Sequence, residues 1–286
     1  VGGQPNSGMV AFDAKTGKTV WTSTGKQTWD GTAKIGWPGE PRMIWRGQEK
    51  MASYASPVLA TVHGKRVAFC LMRQGLVALD PKTGKEYFKR WFRARVNESV
   101  NASNPVVIGD QVFCSSAYSG DGSFVLKIKK DLSGYTEVWS DYQRRVQTDN
   151  PRLDEVLGLH WMTPIVHKGN LYAFSGRNEP DASFRCVEFA TGKLLWNQDE
   201  AWQKYGPPSN KYGRGSFIQA DGKLIVLGET GKLGLFALNA RKPEELAAYQ
   251  VPQLRYPCWA APAMAAKRVY LRSEAYLVCY DFAKDR

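Results

Sequence analysis

The residues able to do chemistry in this sequence stand in two kinds of place. One set lies just ahead of short apolar strands: Tyr54 before Ser56-Pro57, Asn101 before Asn104-Pro105, and His160 with Trp161 before Thr163-Pro164. Arg214 precedes Gly215-Ser216, Trp259 precedes Ala261-Pro262, and Arg95, Asn97 and Glu98 lead into the Asn101 copy. Gathered around one centre, Asn, His, Arg and Trp side chains either bind a polar planar ligand or a peptide, or hydrate a channel and tie neighbouring strands together. The second set lies in long connections, where binding residues concentrate. Residues 22–50 carry Trp37 and Trp45 beside Arg42 and Arg46, and residues 140–159 carry Arg144, Arg145 and Arg152 beside Asp149, Asp154 and Glu155. Trp37 and Trp45 either offer a binding surface or cap the ends of sheets.

Neither set contains a catalytic constellation. His160 has no second histidine at metal-ligand spacing, and His63 and His167 fall in or near turns. No GxGxxG, GxxxxGK[ST] phosphate loop, GxSxG or HExxH occurs, and Thr24-Gly25-Lys26-Gln27 lacks the Ser or Thr of a phosphate loop. The five cysteines, Cys70, Cys114, Cys186, Cys258 and Cys279, form no CxxC and no adjacent pair. Cys70, Cys114 and Cys279 sit in apolar strand patterns, which predicts small buried hydrophobes rather than a disulfide framework.

With 286 residues, 43% hydrophobic and 12% aromatic, the chain can bury a large core and is not compositionally disordered. No apolar run reaches the roughly 18 residues of a membrane span. The net charge of +12 suits an acidic partner, but the bases are scattered through turns such as Lys15, Lys18, Lys82 and Lys85, which reads as a solvated surface. No nucleic-acid partner is expected.

What must position these residues is a repeated hairpin. Residues 9–21 read MVAFDAKTGKTVW, 76–88 read LVALDPKTGKEYF, and 186–196 read CVEFATGKLLW. Apolar alternation makes a strand, an acid at its end accepts turn N–H groups, and Thr-Gly reverses the chain with Gly at positive φ. A large aromatic follows eight residues after the acid: Asp13 to Trp21, Asp80 to Phe88, Asp131 to Trp139, Glu188 to Trp196. Asn239 marks a degenerate copy, with Arg241-Lys242-Pro243 in place of Thr-Gly, and Asp281 a last one. Upstream of these hairpins, Ser56-Pro57-Val58, Asn104-Pro105-Val106, Thr163-Pro164-Ile165 and Ala261-Pro262-Ala263 open further strands, where Pro is tolerated. The period of ~40–50 residues is that of a four-stranded unit, and no segment shows a helical period.

The A-x-D-x-x-T-G-x-x-x-W hairpin, Ala11-Phe12-Asp13 through Trp21, resembles the pyrroloquinoline-quinone-like (PQQ-like) β-propeller repeat, and the likeness runs along nearly the whole chain. It is similar to exported bacterial PQQ-binding-like propellers and to the propeller lipoprotein of outer-membrane β-barrel assembly. The resemblance implies an all-β fold of four-stranded antiparallel blades, residues 1–286 forming one propeller domain. Residues 1–8 read as the tail of a second strand and 276–281 as a third strand. The expectation is the C-terminal five to six blades of an eight-bladed ring, shortened at the N-terminus.

By the same resemblance the protein is a non-catalytic scaffold, periplasmic or envelope-associated, binding an envelope protein or polymer, with a monomer sufficient. The alternative is a quinone-dependent alcohol or sugar dehydrogenase holding PQQ and Ca²⁺, for which Trp161 or Trp259 would stack the ring and Asn101 with Glu98 would supply oxygens. Such enzymes also use a Cys-Cys pair, and this sequence has none. A third reading is an acidic-polysaccharide binding module.

Overall fold

The computed structural model describes residues 8–23, 53–92, 101–118, 122–147, 155–177, 182–198 and 212–283. They divide into two compact units, Val1–Thr163 with Ala190–Gly192, and Pro164–Phe189 with Lys193–Arg286. The first unit holds a hairpin, β1 (Met9–Phe12) with β2 (Thr19–Ser23), and two four-stranded sheets. One sheet is β3 (Val58–Val62), β4 (Lys65–Met72), β5 (Gly75–Leu79) and β6 (Glu86–Trp91). The other is β7 (Val106–Ile108), β8 (Gln111–Ser115), β9 (Ser123–Ile128) and β10 (Tyr135–Ser140). The second unit holds two four-stranded sheets and one three-stranded sheet. The first is β11 (Ile165–His167), β12 (Asn170–Ser175), β13 (Ser183–Glu188) and β14 (Leu194–Asn197), and the second is β15 (Ser216–Ala220), β16 (Lys223–Leu227), β17 (Lys232–Ala237) and β18 (Glu244–Gln250). The three-stranded sheet is β19 (Ala263–Ala265), β20 (Arg268–Arg272) and β21 (Leu277–Asp281). Every sheet is an antiparallel meander in chain order, so four strands per repeat holds in four sheets among the described residues.

The repeated turn works as its sequence predicts. Asp13 Oδ1 accepts the N–H of Thr16 at 2.7 Å, its hydroxyl at 2.8 Å and the N–H of Lys15 at 3.1 Å. These bonds, the Thr16 hydroxyl foremost, hold its carboxyl below the usual aspartate value. Asp80 does the same for Lys82 and Thr83. Gly17, Gly84 and Gly192 have φ of 70°, 71° and 69°. Even the degenerate copy keeps the device, because Asn239 Oδ1 accepts the N–H of Arg241 at 2.8 Å.

A β-bulge follows in each hairpin of third and fourth strands, and it brings the aromatic opposite a fixed place. Ala11 pairs with Trp21, Ala78 with Phe88, Val125 with Trp139, and Cys186 with Trp196. Each ring then reaches another segment of its own unit. Trp21 Nε1 donates to the Pro81 carbonyl at 3.0 Å, and Trp196 Nε1 to the Asn239 carbonyl at 2.9 Å. Phe88 meets Tyr135 with centroids 5.5 Å apart, and Trp139 lies against Gly192, where an added Cβ would come within 2.6 Å of the ring. Within each unit, Trp21, Phe88 and Trp196 therefore set the spacing of successive sheets. In the fifth hairpin the same position, opposite Leu235, is Ala247.

This predicts a contrast between two turn glycines. Gly17→Ala meets open space and should cost only left-handed backbone strain, about 1–2 kcal/mol. Gly192→Ala adds a clash with the Trp139 ring and should cost roughly 3 kcal/mol or more, read by urea unfolding.

Two expectations need correction. Residues 140–159 are not all loop: α1 spans Asp141–Gln147. Seven residues are too few to show a period, but the local chemistry suffices, since Ser140 Oγ accepts the Gln143 N–H at 3.1 Å as an N-cap and Asp141 sits in the first turn. Asp141 is buried and accepts the Ser123 N–H and hydroxyl at 2.8 Å each and the Val156 N–H at 3.0 Å. Burial pushes its carboxyl up against the pull of those bonds. The other correction is Cys279, which is exposed: it shares one face of β21 with Leu277 and Asp281, while Val278 and Tyr280 on the opposite face are the ones that pack against the core cluster of this unit. Cys70 and Cys114 are buried as expected, and burial raises the Cys70 thiol to about 12.

Candidate functional site

In the first unit, the residues preceding the strands fall into two clusters. Asn101 is buried and acts as a clamp: its Nδ2 donates to the carbonyls of Met72 at 2.8 Å and Phe92 at 3.1 Å. Its own carbonyl accepts the N–H groups of Tyr54 at 3.2 Å and Ala55 at 3.1 Å. Tyr54 is thereby fixed at its backbone while its side chain is 80% exposed. Asn101 thus ties strands together, and Tyr54 faces solvent. The second cluster joins Tyr118, His160 and Trp161. The Tyr118 hydroxyl is 2.8 Å from His160 Nε2, and the His160 and Trp161 rings lie 4.3 Å apart.

The second unit contains the more developed arrangement. Glu229, in the turn between β16 and β17, is fully buried. Arg214 enters from the segment before β15, with its Nη2 2.8 Å from Glu229 Oε2 and its Nε 2.9 Å from Oε1, a bidentate pair. The Arg214 N–H also donates to Oε1, and Nη1 reaches the Arg177 carbonyl at 3.2 Å. Trp259 Nε1 donates to Glu229 Oε2 at 2.9 Å, and the guanidinium carbon lies 5.5 Å from the indole centroid. Burial alone would raise the Glu229 carboxyl, but the bonds from Arg214 and Trp259 hold it below its ordinary value. The Glu229 bond correspondingly raises Arg214.

This framework fixes an aromatic surface. Trp259 is 44% exposed and Tyr256 is 57% exposed, their rings edge to face with centroids 5.9 Å apart. A shallow cleft beside them is lined by Pro257, Trp259, Ala260, Arg272, Ser273 and Glu274. The arrangement suits contact by a partner surface: amphipathic rings held in place beside a cleft that carries one cation, Arg272, and one anion, Glu274.

Of the sequence-predicted residues, the structure brings Tyr54 to Asn101, His160 to Trp161, and Arg214 to Trp259. Arg95, Asn97, Glu98, Trp37 and Trp45 lie outside the described residues. Sequence reasoning missed Glu229, Tyr118 and Tyr256. Glu229 was hidden because Glu229-Thr230-Gly231 imitates the repeated acid-Thr-Gly turn, although it falls one strand early.

Of the residues suggested for a quinone with Ca²⁺, Glu98 lies outside the described residues. Asn101 spends its amide on two main-chain carbonyls, Trp161 lies against His160, and Trp259 is bonded to Glu229. Among the described residues no three His, Cys, Asp or Glu side chains converge as metal ligands, and no helix is long and apolar enough to cross a membrane.

The chain resembles BamB from Moraxella catarrhalis with a TM-score of 0.57 at 14% identity, covering 96% of this chain and 66% of that one, so it spans just under two thirds of that protein's length. That likeness shows the fold: the four-stranded sheets are blades of a β-propeller. The N-terminal domain of Nup159 (TM-score 0.44, 13% identity, 77% of this chain and 52% of that one) and the computationally designed Ika8 protein (0.41, 11%, 98% and 92%) are too distant to carry an argument. No curated protein sequence matches significantly. A family model described as outer membrane protein assembly factor BamB matches residues 5–152, slightly more than half of the chain, and the protein therefore belongs to that family.

Proposed function

We propose that this chain is a non-catalytic β-propeller scaffold of the bacterial cell envelope that binds a protein engaged in outer-membrane assembly, through the surface of Tyr256 and Trp259. The observation that carries this reading is the exposed indole tied to a fully buried carboxylate, which Arg214 neutralises. A partner docking there meets rings already ordered, so little side-chain entropy is lost on association. Family membership supports the class of partner.

The test is a titration of the purified chain with soluble portions of outer-membrane assembly components from the same bacterium. Trp259→Ala and Tyr256→Ala should each weaken binding roughly thirtyfold, the range of an aromatic hot spot at about 2 kcal/mol. Tyr256→Ala should leave the unfolding midpoint little changed. Trp259→Ala should also cost about 1–3 kcal/mol by removing a donor from buried Glu229, so binding is compared where both variants are folded. No binding, or binding indifferent to both substitutions, would overturn the assignment. Dye-linked alcohol oxidation on adding PQQ and Ca²⁺ would displace the non-catalytic reading.

A further inference from the structure

In a four-stranded meander, the turn joining the first two strands and the turn joining the last two lie at the same end of the sheet. In the first unit these ends share one face. The Ile128 carbonyl, where β9 ends, lies 3.0 Å from His63 Nε2, in the β3–β4 turn of the neighbouring sheet. Trp21 Nε1 ties the β1–β2 hairpin to Pro81, in the β5–β6 turn. The turns at 13–18, 63–66, 80–85, 109–111 and 129–134 therefore gather from three sheets.

Bases that are scattered along the sequence converge here. The repeated hairpin supplies Lys15 and Lys18 in one copy, Lys82 and Lys85 in the next, and Lys129 and Lys130 in a third. The β3–β4 hairpin adds Lys65 and Arg66. All eight are exposed, and none forms an ion pair among the described residues. The four acids of these turns balance half of that charge, and their oxygens are engaged. Asp13, Asp80 and Asp131 each give Oδ1 to N–H groups of their own turn, and Asp110 lies 3.8 Å from Lys127. Elsewhere in the unit charges meet charges, as in Arg90 with Glu137 and Arg144 with Asp141. In the second unit the corresponding turns are partly neutralised within themselves, Lys223 by Asp221 and Arg268 by Asp281.

The composition of the face selects its partner. Seven of the eight bases are lysines, compact point charges rather than the planar forks that grip a single phosphate. The five turns contain no Phe, Trp or Tyr, so a sugar ring or an unstacked base finds nothing to stack on. What the face offers is diffuse attraction from turns whose main chain is already bonded, spread over three sheets, and a plane of many anions matches it. We infer that this face of the first unit docks on an anionic phospholipid bilayer, its lysines lying among the headgroups. The inference goes beyond the scaffold reading and uses none of the residues of the Tyr256–Trp259 surface.

The test is flotation of the intact chain with extruded phosphatidylcholine vesicles, with or without a one-third share of phosphatidylglycerol. Near ~0.1 M salt binding should require phosphatidylglycerol, and it should fall at least about tenfold near ~0.5 M salt as screening shortens the reach of each charge. Lys82→Gln with Lys130→Gln should weaken vesicle binding about tenfold or more. Lys89→Gln with Lys232→Gln removes the same charge away from these turns and should weaken it less than about threefold. Urea midpoints establish that every variant is folded under the assay conditions. Equal losses from the two double variants would mean that total charge rather than this face attracts the bilayer, and would overturn the inference. So would equal binding to pure phosphatidylcholine, or no binding to either vesicle. Capture by duplex DNA or an anionic glycan with the vesicles left unbound would also overturn it and assign the face to a polymer. The assay contains no protein partner, so its failure is distinguishable from failure of the Tyr256–Trp259 surface.

Discussion

Arg214→Met should destabilise the second unit by about 3–5 kcal/mol, because it leaves the Glu229 carboxylate buried without its counter-ion. The pair is not an ornament on the surface: Glu229 has no exposed area and takes three hydrogen bonds from Arg214 and one from Trp259. Glu229→Gln should be less severe, since the amide oxygen still accepts from Arg214 or Trp259. The pH dependence follows from the lowered Glu229 carboxyl. A folded-state value below the unfolded one contributes stability that is present above the unfolded carboxylate range, near ~4.3, and is lost as pH falls through the folded value. The gap between the wild-type chain and Glu229→Gln in urea midpoint should therefore be widest near neutrality and close on acidification. A gap that widens toward acid would contradict the sign.

Trp196→Ala should cost a similar amount, about 3–5 kcal/mol, by emptying a site between Phe184 at 5.1 Å and Tyr172 at 6.1 Å. It also strands the Asn239 carbonyl, which accepts the indole N–H. Trp196→Phe separates the two contributions. It keeps most of the apolar burial and should cost about 0.5–1.5 kcal/mol for the lost hydrogen bond, together with some packing. Equal losses in the two variants, by chemical denaturation, would mean that the hydrogen bond rather than the ring spaces the sheets.

The hairpins were legible because their chemistry is local. An acid, a Thr-Gly reversal and a ring eight residues on are enough to dictate the turn, the bulge and the anchor, and Asp13 through Trp21 does all three. The Pro residues likewise marked strand starts, with β3, β7, β11 and β19 each beginning one residue after a proline. The candidate site was less legible because its chemistry is not local. Arg214, Glu229 and Trp259 are fifteen and thirty residues apart and meet only when three segments of the unit fold together. Asn101 has a binding residue's type but a structural role, its amide spent on Met72 and Phe92. Cys279 was misjudged for a related reason: an apolar strand does not tell which of its two faces packs on the core, and in β21 that face carries Val278 and Tyr280. The absence of a ring at Ala247 belongs to the same class, since the anchor position is visible only once the bulge fixes the register.

The central claim is that the Tyr256–Trp259 surface is where this scaffold meets a protein partner. The measurement that bears on it most directly is photo-crosslinking in the bacterial envelope from a benzophenone amino acid at position 256, with the adduct identified by mass spectrometry. The account predicts a covalent adduct with an outer-membrane assembly component, lost when Trp259→Ala is added and absent when the crosslinker is moved to exposed position 18. An adduct that forms equally from position 18, or no adduct from position 256, would contradict it.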